Sequence, residues 1–568
     1  MTNPSRSGGQ ILVDALAIHG VDTAFGVPGE SYLDVLDALH DSNIDFVINR
    51  QEGGAAFMAE AYGKLTGKPG ICFVTRGPGA TNAAIGVHTA YQDSTPMILF
   101  IGQVGLDFMD REAFQEIDYR RMYGQMAKWV TQIDRAERIP EYIARAFQIA
   151  TSGRPGPVVL ALPEDMLATK AVVADTRAYT PVQACPAAAQ IDQLRAMLAD
   201  AKRPLLLLGG GTWNAQACAD VTRFAEANHL PVACAFRFQD LFDNAHPQYV
   251  GDVGIGINPK LAARVKEADV LIAFGPRLGE MTTSGYSIIE APVPRQRLVH
   301  IHPDPEELGS VYQAELMIAS GAPQAASMLA AMAPVDASAW KHRAAEGHSE
   351  LAAWQKQPPI FQDGVEPRAP LDLWQMVQDL QKAIPHDSII TNGAGNYATW
   401  AHRFYSYGGM RSQLAPTSGA MGYGVPAGIA AKIVDPARTV VTFAGDGEFM
   451  MNGQELATAV QYQAGVVIIV FNNSMFGTIR MHQERDYPGR VSGTTLHNPD
   501  FAALAQAYGA HGEVVSTTAQ FAPALARALE HTRAKSLPAL IELRYDGNLI
   551  TPGATLDTIR ANAEKARR

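Results

Sequence analysis

The chain has 568 residues, of which 47% are hydrophobic and 18% charged, with a formal net charge of −11 and a pI near 5.8. That length holds three or four domains with cores of their own, and an acidic balance without a basic block argues against a nucleic-acid or anionic-membrane binder. No apolar run approaches the length that spans a bilayer, MTNPSRSGGQ at the start has no signal core, and Cys72, Cys185, Cys218 and Cys234 form no C-x-x-C pair, so the expectation is a cytoplasmic protein acting on small molecules.

Short β-branched or Leu-rich runs alternate with helical patterns along the chain, which predicts repeated βα units on parallel sheets. The first block has strands over 46–48, 70–74 and 97–101, a helix over 53–65, and closes near 157–160. The stretch 170–189, with Pro181 and Pro186, reads as a linker. A second block has strands over 204–208, 270–273 and 298–301. QKQPPIFQDGVEPRAP at 355–370 separates it from a third, with strands over 388–391, 439–443, 466–471 and 539–542. The fold expectation is α/β: three consecutive doubly wound domains with mostly parallel sheets, at 1–175, 190–335 and 366–568, the first and third open to being distant duplicates.

The chemistry starts at Gly445-Asp446-Gly447, which follows the strand-like run 439–443. A helical pattern over 453–463 and a strand over 466–471 lead to Asn472-Asn473. In a parallel sheet with these strands adjacent, both turns lie at the carboxyl edge, where open α/β sheets place ligands. A carboxylate from Asp446, an amide oxygen from Asn473 and the carbonyl of Met475 make a hard oxygen set suited to Mg²⁺ shared with phosphate. The glycines admit the phosphates and the following helix offers free N–H groups. The plain alternative is an Asp in a tight loop followed by an Asn-Asn turn.

At these residues the sequence resembles the thiamin-diphosphate-dependent decarboxylases and carboligases of the acetolactate synthase and pyruvate oxidase type, over nearly its whole length. The resemblance implies a pyrimidine-binding first domain, a central domain and a diphosphate-binding third. In it Gly445-Asp446-Gly447 and Asn472-Asn473 match the diphosphate–metal motif, with Asp446, Asn473 and Met475 as Mg²⁺ ligands. Arg50-Gln51-Glu52-Gly53-Gly54 matches the segment whose glutamate activates the cofactor, and Gly77-Pro78-Gly79-Ala80-Thr81-Asn82 a turn beside it. Glu52 alone also reads as a carboxylate complementing a helix start. The implied role is a hydrogen bond to the pyrimidine N1′ that drives the 4′-imino tautomer, general acid–base work at one remove from C2. Gly419-Ala420-Met421-Gly422 resembles the segment that bends the cofactor into a V, Met421 being the wedge; its alternative is core filling. Pro28, Gly29, Asn82, Gly395 and Asn396 are further cofactor-side positions by the same likeness. Since Glu52 and Asp446 belong to different domains, the resemblance implies a homodimer or homotetramer with shared active sites.

Substrate positions depart from the family. Glu30 follows Pro28-Gly29 where small residues are usual, and reads either as an active-site carboxylate or as a helix-start one. Phe114-Gln115 in AFQE matches the synthases. His482 stands where they have a tryptophan, Glu164 where they have a lysine, and Asn396-Tyr397 where they have Gln-His. The cofactor chemistry survives these changes; the acetolactate assignment does not follow. Gly209-Gly210-Gly211, Asn258-Pro259-Lys260 and Gly275-Pro276-Arg277 sit at flavin positions of relatives, but the G-x-G-x-x-G spacing is missing, so FAD is an alternative that the spacing disfavours.

The reading is thiamin-diphosphate- and Mg²⁺-dependent decarboxylation of a 2-oxo acid, the enamine being protonated or ligated to a second carbonyl compound. Two alternatives remain: a non-decarboxylating C–C lyase or hydrolase on a diketone or hydroxyacyl substrate, and a non-catalytic thiamin- or nucleotide-binding regulatory protein.

Overall fold

The computed structural model describes residues 4–361 and 370–567. The expected start of the third domain at 366, the outermost residues 1 and 568, and the second half of the proline-bearing segment lie outside the described residues.

The chain forms two compact units, the first ending at Ala184 and the second beginning at Cys185. The first holds a six-stranded sheet in the order Asp45–Ile48, Thr23–Gly26, Gly70–Thr75, Met97–Gln103, Pro157–Pro163, Trp129–Gln132, with every neighbouring pair parallel. Met97–Gln103 and Pro157–Pro163 are buried at every position, because helices cover both faces of a parallel sheet and its strands become continuous apolar runs. Helices Glu52–Thr66 and Arg76–Asp93 approach closely: a Cβ on Gly86 would fall 2.4 Å from the Cβ of Ala56. The small residues around Ala56 are therefore a packing requirement, and a larger side chain at Gly86 would cost about 1–3 kcal/mol by overpacking. The contact keeps Glu52 beside Asn82.

The expected linker is partly ordered. Lys170–Ala171 pairs antiparallel with Arg6–Ser7, 172–187 has no helix or strand, and helix Ala188–Ala199 follows. Two-residue strands carry no periodicity, which is why the sequence does not announce them.

The second unit holds two six-stranded sheets. The central one runs Tyr249–Asp252, Val232–Cys234, Pro204–Leu208, Val270–Phe274, Arg297–His302, Leu316–Ala319, all parallel. In chain order this is 3-2-1-4-5-6, that of dinucleotide-binding sheets. The last sheet runs Gln413–Leu414, Ile389–Asn392, Val440–Gly445, Val467–Asn472, Ala539–Arg544, His511–Val515, also all parallel. Its order, 2-1-3-4-6-5, is that of the first unit.

Central and last sheets share one unit because the loop 236–240 joins them. Gln239 N–H donates to Gln413 Oε1 at 2.9 Å, and Asp240 Oδ2 accepts from the N–H groups of Ser412 and Gln413, each at 3.2 Å. One helix differs from its expected span of 453–463: the chain turns helical at Asp446, runs to Asn452, passes through a 3₁₀ turn at Gly453–Glu455 and resumes over Leu456–Gln461. Phe449 and Asn452 are buried on one side of that first segment, an amphipathic turn that the two methionines between them disguise.

Candidate active site

Strands Val440–Gly445 and Val467–Asn472 are adjacent and parallel, Gly445 lying opposite Phe471. The chain therefore leaves both at one edge, and Asp446 and Asn473 emerge together. With Met475 they line a cavity of about 190 Å³ whose wall also includes Gly395, Asn396, Gly419, Met421, Gly445 and Gly447. His482 is not part of this wall. It sits further along helix Gly477–Asp486, half-buried, with a buried Nδ1 that has no hydrogen-bond partner within the protein.

Asp446 is 3% exposed. Burial raises its carboxyl pKa, while the Gly447 N–H at 2.9 Å and the Asn498 amide at 2.8 Å, together with the N–H groups of Ser474 and Met475, stabilise the anion. The two asparagines differ in role. Asn472 donates to Glu542 Oε1 at 2.7 Å and its oxygen accepts from Asn498 at 3.0 Å and from Ser474 N–H at 3.1 Å, so its side chain is committed to the scaffold, whereas Asn473 faces the cavity.

The residues present fit a diphosphate held through a divalent cation. A carboxylate, an amide oxygen and a carbonyl are hard donors that leave positions for phosphate oxygens. No side chain caps helix Gly477–Asp486, and Gly477, Thr478 and Ile479 of its first turn line the same cavity, an arrangement that suits an anion. At about 190 Å³ the cavity falls short of the roughly 300–1,000 Å³ of a complete small-molecule site and matches one end of a cofactor.

Two residues here, Glu448 and Asn498, are absent from the sequence-based set. Glu448 is fully buried, burial pushes its carboxyl up to about 7, and it accepts from the Tyr397 hydroxyl and from Gly424 N–H at 3.4 Å. A Cβ on Gly393 would fall 1.8 Å from Glu448 Oε1, and Gly393 N–H donates to Tyr397 Oη at 3.0 Å. The signal available was a second acid inside the otherwise apolar FAGDGEFMM. Asn498 lies far from Asp446 in sequence and gave none.

In the first unit Glu52 opens its helix, with Gln51 as N-cap accepting from Gly54 N–H at 3.1 Å. The Glu52 carboxylate accepts from the Asn82 amide at 2.9 Å. Asn82 thus touches the glutamate, and Gly79 beside them would carry a Cβ 3.6 Å from Glu52 Oε1. Pro28 and Gly29 lie in the loop after strand Thr23–Gly26, where a Cβ on Gly29 would strike Thr75 at 2.5 Å. Gln115 has φ +65° and its carbonyl accepts from Gly77 N–H at 2.9 Å, which pins the AFQE loop to the glycine turn; Phe114 is 71% exposed. Glu30 starts a 3₁₀ turn and lies 3.7 Å from Arg76, whose other amino group donates to Glu164 at 2.6 Å. Two of the family departures, Glu30 and Glu164, are therefore linked through a third charged residue, Arg76, 7% exposed.

The central sheet offers little to a flavin. A Cβ on Gly210 would fall 2.0 Å from the Gly275 carbonyl oxygen, and one on Gly275 would fall 2.2 Å from that of Gly209, so the glycines let two strand-end loops touch. Trp213 donates to Gly209 O at 2.9 Å and packs on Phe274. Asn214 caps the following helix, and Asn258 caps helix Pro259–Glu267. Of the positions read as flavin-side, Gly209, Gly210, Gly275 and Asn258 therefore have packing or capping roles of their own.

Comparison with known proteins agrees with this geometry. The family model described as "Thiamine pyrophosphate enzyme, N-terminal TPP binding domain" matches residues 6–122, the central-domain model 191–329, and the C-terminal TPP-binding-domain model 393–543. The chain belongs to the thiamine pyrophosphate enzymes. Within them it is an acetolactate-synthase-like lyase or carboligase. It is 33% identical over 552 residues to acetolactate synthase isozyme 2 large subunit of Escherichia coli, covering 97% of this chain and 98% of that protein. It is 33% identical to the probable acetolactate synthase large subunit of Methanocaldococcus jannaschii, covering 97% and 95%, and 32% identical to isozyme 3 large subunit of Escherichia coli, covering 95% of each. The reading as a non-catalytic binder is set aside.

Proposed function

We propose that this enzyme uses thiamin diphosphate and Mg²⁺ to remove carbon dioxide from a small 2-oxo acid and to deliver the remaining carbon unit to a proton or to a second carbonyl compound. The cavity around Asp446 carries the reading. Asp446, Asn473 and Met475 hold the metal, the uncapped start of helix Gly477–Asp486 and the glycines beside it receive the diphosphate, and Met421 supplies the apolar support. When bound, the cofactor provides the electron sink that decarboxylation needs. Glu52, oriented by Asn82, holds or gives a proton at the pyrimidine. The residues that read as substrate contacts are Glu30, Phe114, Gln115 and His482. FAD in the central domain stays an alternative that this chemistry does not require.

Because the Asp446 cavity holds one end of a cofactor and Glu52 belongs to the other unit, the active enzyme is a homodimer or homotetramer with sites shared between chains. Among the described residues no helix is long and apolar enough to cross a membrane, and all four cysteines are unpaired; the cytoplasm suits such a protein.

A second reading, cleavage of a diketone or hydroxyacyl substrate without decarboxylation, is favoured by the Glu30–Arg76–Glu164 group, in which the buried cation is already compensated by two carboxylates and is not left over for an acidic substrate. Incubating the holoenzyme with 2-oxo acids and with diketones separates the two. Carbon dioxide release from a 2-oxo acid supports the first reading, and turnover of diketones alone overturns it.

A further inference from the structure

Arg237 lies in the loop that joins the central sheet to the last one. It is 6% exposed and has φ +64°, a left-handed conformation that a non-glycine residue keeps only where its surroundings impose it. Its Nη2 donates to the carbonyl of Gly393 at 2.8 Å and its Nη1 to the carbonyl of Pro416, and the guanidinium sits 4.9 Å over the Phe236 ring. Those carbonyls stand at the roots of two loops. Gly393 leads into Gly395 and Asn396, and its oxygen also accepts from the Asn392 amide at 2.8 Å. Pro416 leads into Gly419 and Met421, and its oxygen also accepts from Gly419 N–H at 3.0 Å. Gly395, Asn396, Gly419 and Met421 all line the Asp446 cavity, and Glu448 on its wall feels the charge of Arg237.

We propose that Arg237 is a positioning residue of this active site: from the central sheet it holds the carbonyls of Gly393 and Pro416 on one guanidinium and so fixes the separation of the two loops that grip the cofactor. The inference rests on the reading of those loops as cofactor-lining. A planar fork with several fixed donors can serve two carbonyls at once, whereas an ammonium on a flexible stem is a point charge, so lysine does not substitute. The central sheet thereby acquires a role in the chemistry that needs no nucleotide bound to it.

The test uses the full-length protein with Arg237→Lys, Arg237→Met and, as a control, Gln239→Ala, which removes the side-chain bonds that the same docking loop makes to Gln413 Nε2 and to the His402 carbonyl without touching the carbonyls of Gly393 or Pro416. Thiamin diphosphate binding in Mg²⁺ is measured by calorimetry and C2 hydrogen exchange of the bound cofactor by NMR. Both Arg237 variants are expected to bind more weakly and to exchange slower by something on the order of 10²-fold, the effect of misplacing a reacting group by about 1 Å, while Gln239→Ala lowers the melting temperature with binding and exchange near wild type. Wild-type binding and exchange in the Arg237 variants, or equal losses in Gln239→Ala, would overturn the inference alone. A wild-type protein that does not bind thiamin diphosphate would bring down the cofactor reading and the inference with it.

Discussion

Glu52 and Asp446 are both carboxylates at the start of a helix that follows a parallel strand, yet their hydrogen-bond partners differ. Asp446 sits beside a cavity, where backbone and amide donors oppose the burial that raises its carboxyl, a setting that suits the proposed metal ligand. Glu52 accepts from one side-chain donor, Asn82, and sits half-buried, a setting that suits the proposed exchange of a proton. Replacing Glu52 by Gln should slow C2 hydrogen exchange by about 10²–10⁴-fold, the usual worth of a positioned acid–base group, with cofactor still bound; exchange at the wild-type rate, followed by NMR, would remove Glu52 from the mechanism. Asn82→Ala should slow the same exchange by less. Residues of this kind are legible in sequence because a strand end, a glycine and one polar side chain make a local signature. Asn498, Glu542 and Arg237 are not, since each acts through a contact that only the folded chain creates, and the structure adds a physical reason for the sequence-based choice of Asn473 over Asn472, whose amide Glu542 occupies.

Helix Gly477–Asp486 lines the cavity with its first turn and is anchored by its last. There Glu484, buried, accepts from Arg560 of helix Leu556–Arg567 at 2.7 and 2.6 Å, from Arg480 at 2.9 Å and from Gly489 N–H at 2.9 Å. The Arg560 hydrogen bonds above all hold its carboxyl down at about 2, against an ordinary 4.5. A depressed carboxylate contributes stability above its unfolded pKa and loses it as the pH falls toward the folded one. Glu484→Gln should therefore destabilise the protein near neutral pH by something on the order of 3 kcal/mol, with the gap to wild type closing between about pH 4.5 and pH 2. Denaturant titrations at several pH values check this, and a pH-independent gap would show that packing, not charge, sets the effect. At this scale the strands read well from sequence because buried parallel strands are unbroken apolar runs. The helix after Asp446 does not, because its two segments and the 3₁₀ turn between them blur the 3.6-residue period.

The first and last sheets share the order 2-1-3-4-6-5, so equivalent strand ends can be compared. After the third strand of each, a helix begins at once, with Arg76 in one and Asp446 in the other. After the first strand, Pro28-Gly29 in one corresponds to the loop of Gly395 and Asn396 in the other. Similar frames thus present different chemistry from matching positions, which is why alternation of strand and helix predicts the architecture but not which end of a cofactor each sheet takes. If the sites are shared between chains, co-expressing Glu52→Gln with Asp446→Ala should restore activity to about a quarter of wild type by random pairing of subunits. Neither variant should be active alone, and no recovery would confine each site to one chain. The metal-anchored cofactor site is tested by calorimetry of thiamin diphosphate binding to wild type with Mg²⁺, to wild type with the metal chelated, and to Asp446→Ala with Mg²⁺. Tight binding is expected in the first case and its loss in the other two; binding that ignores the metal or survives without the Asp446 carboxylate would rule out a metal-anchored diphosphate at this site.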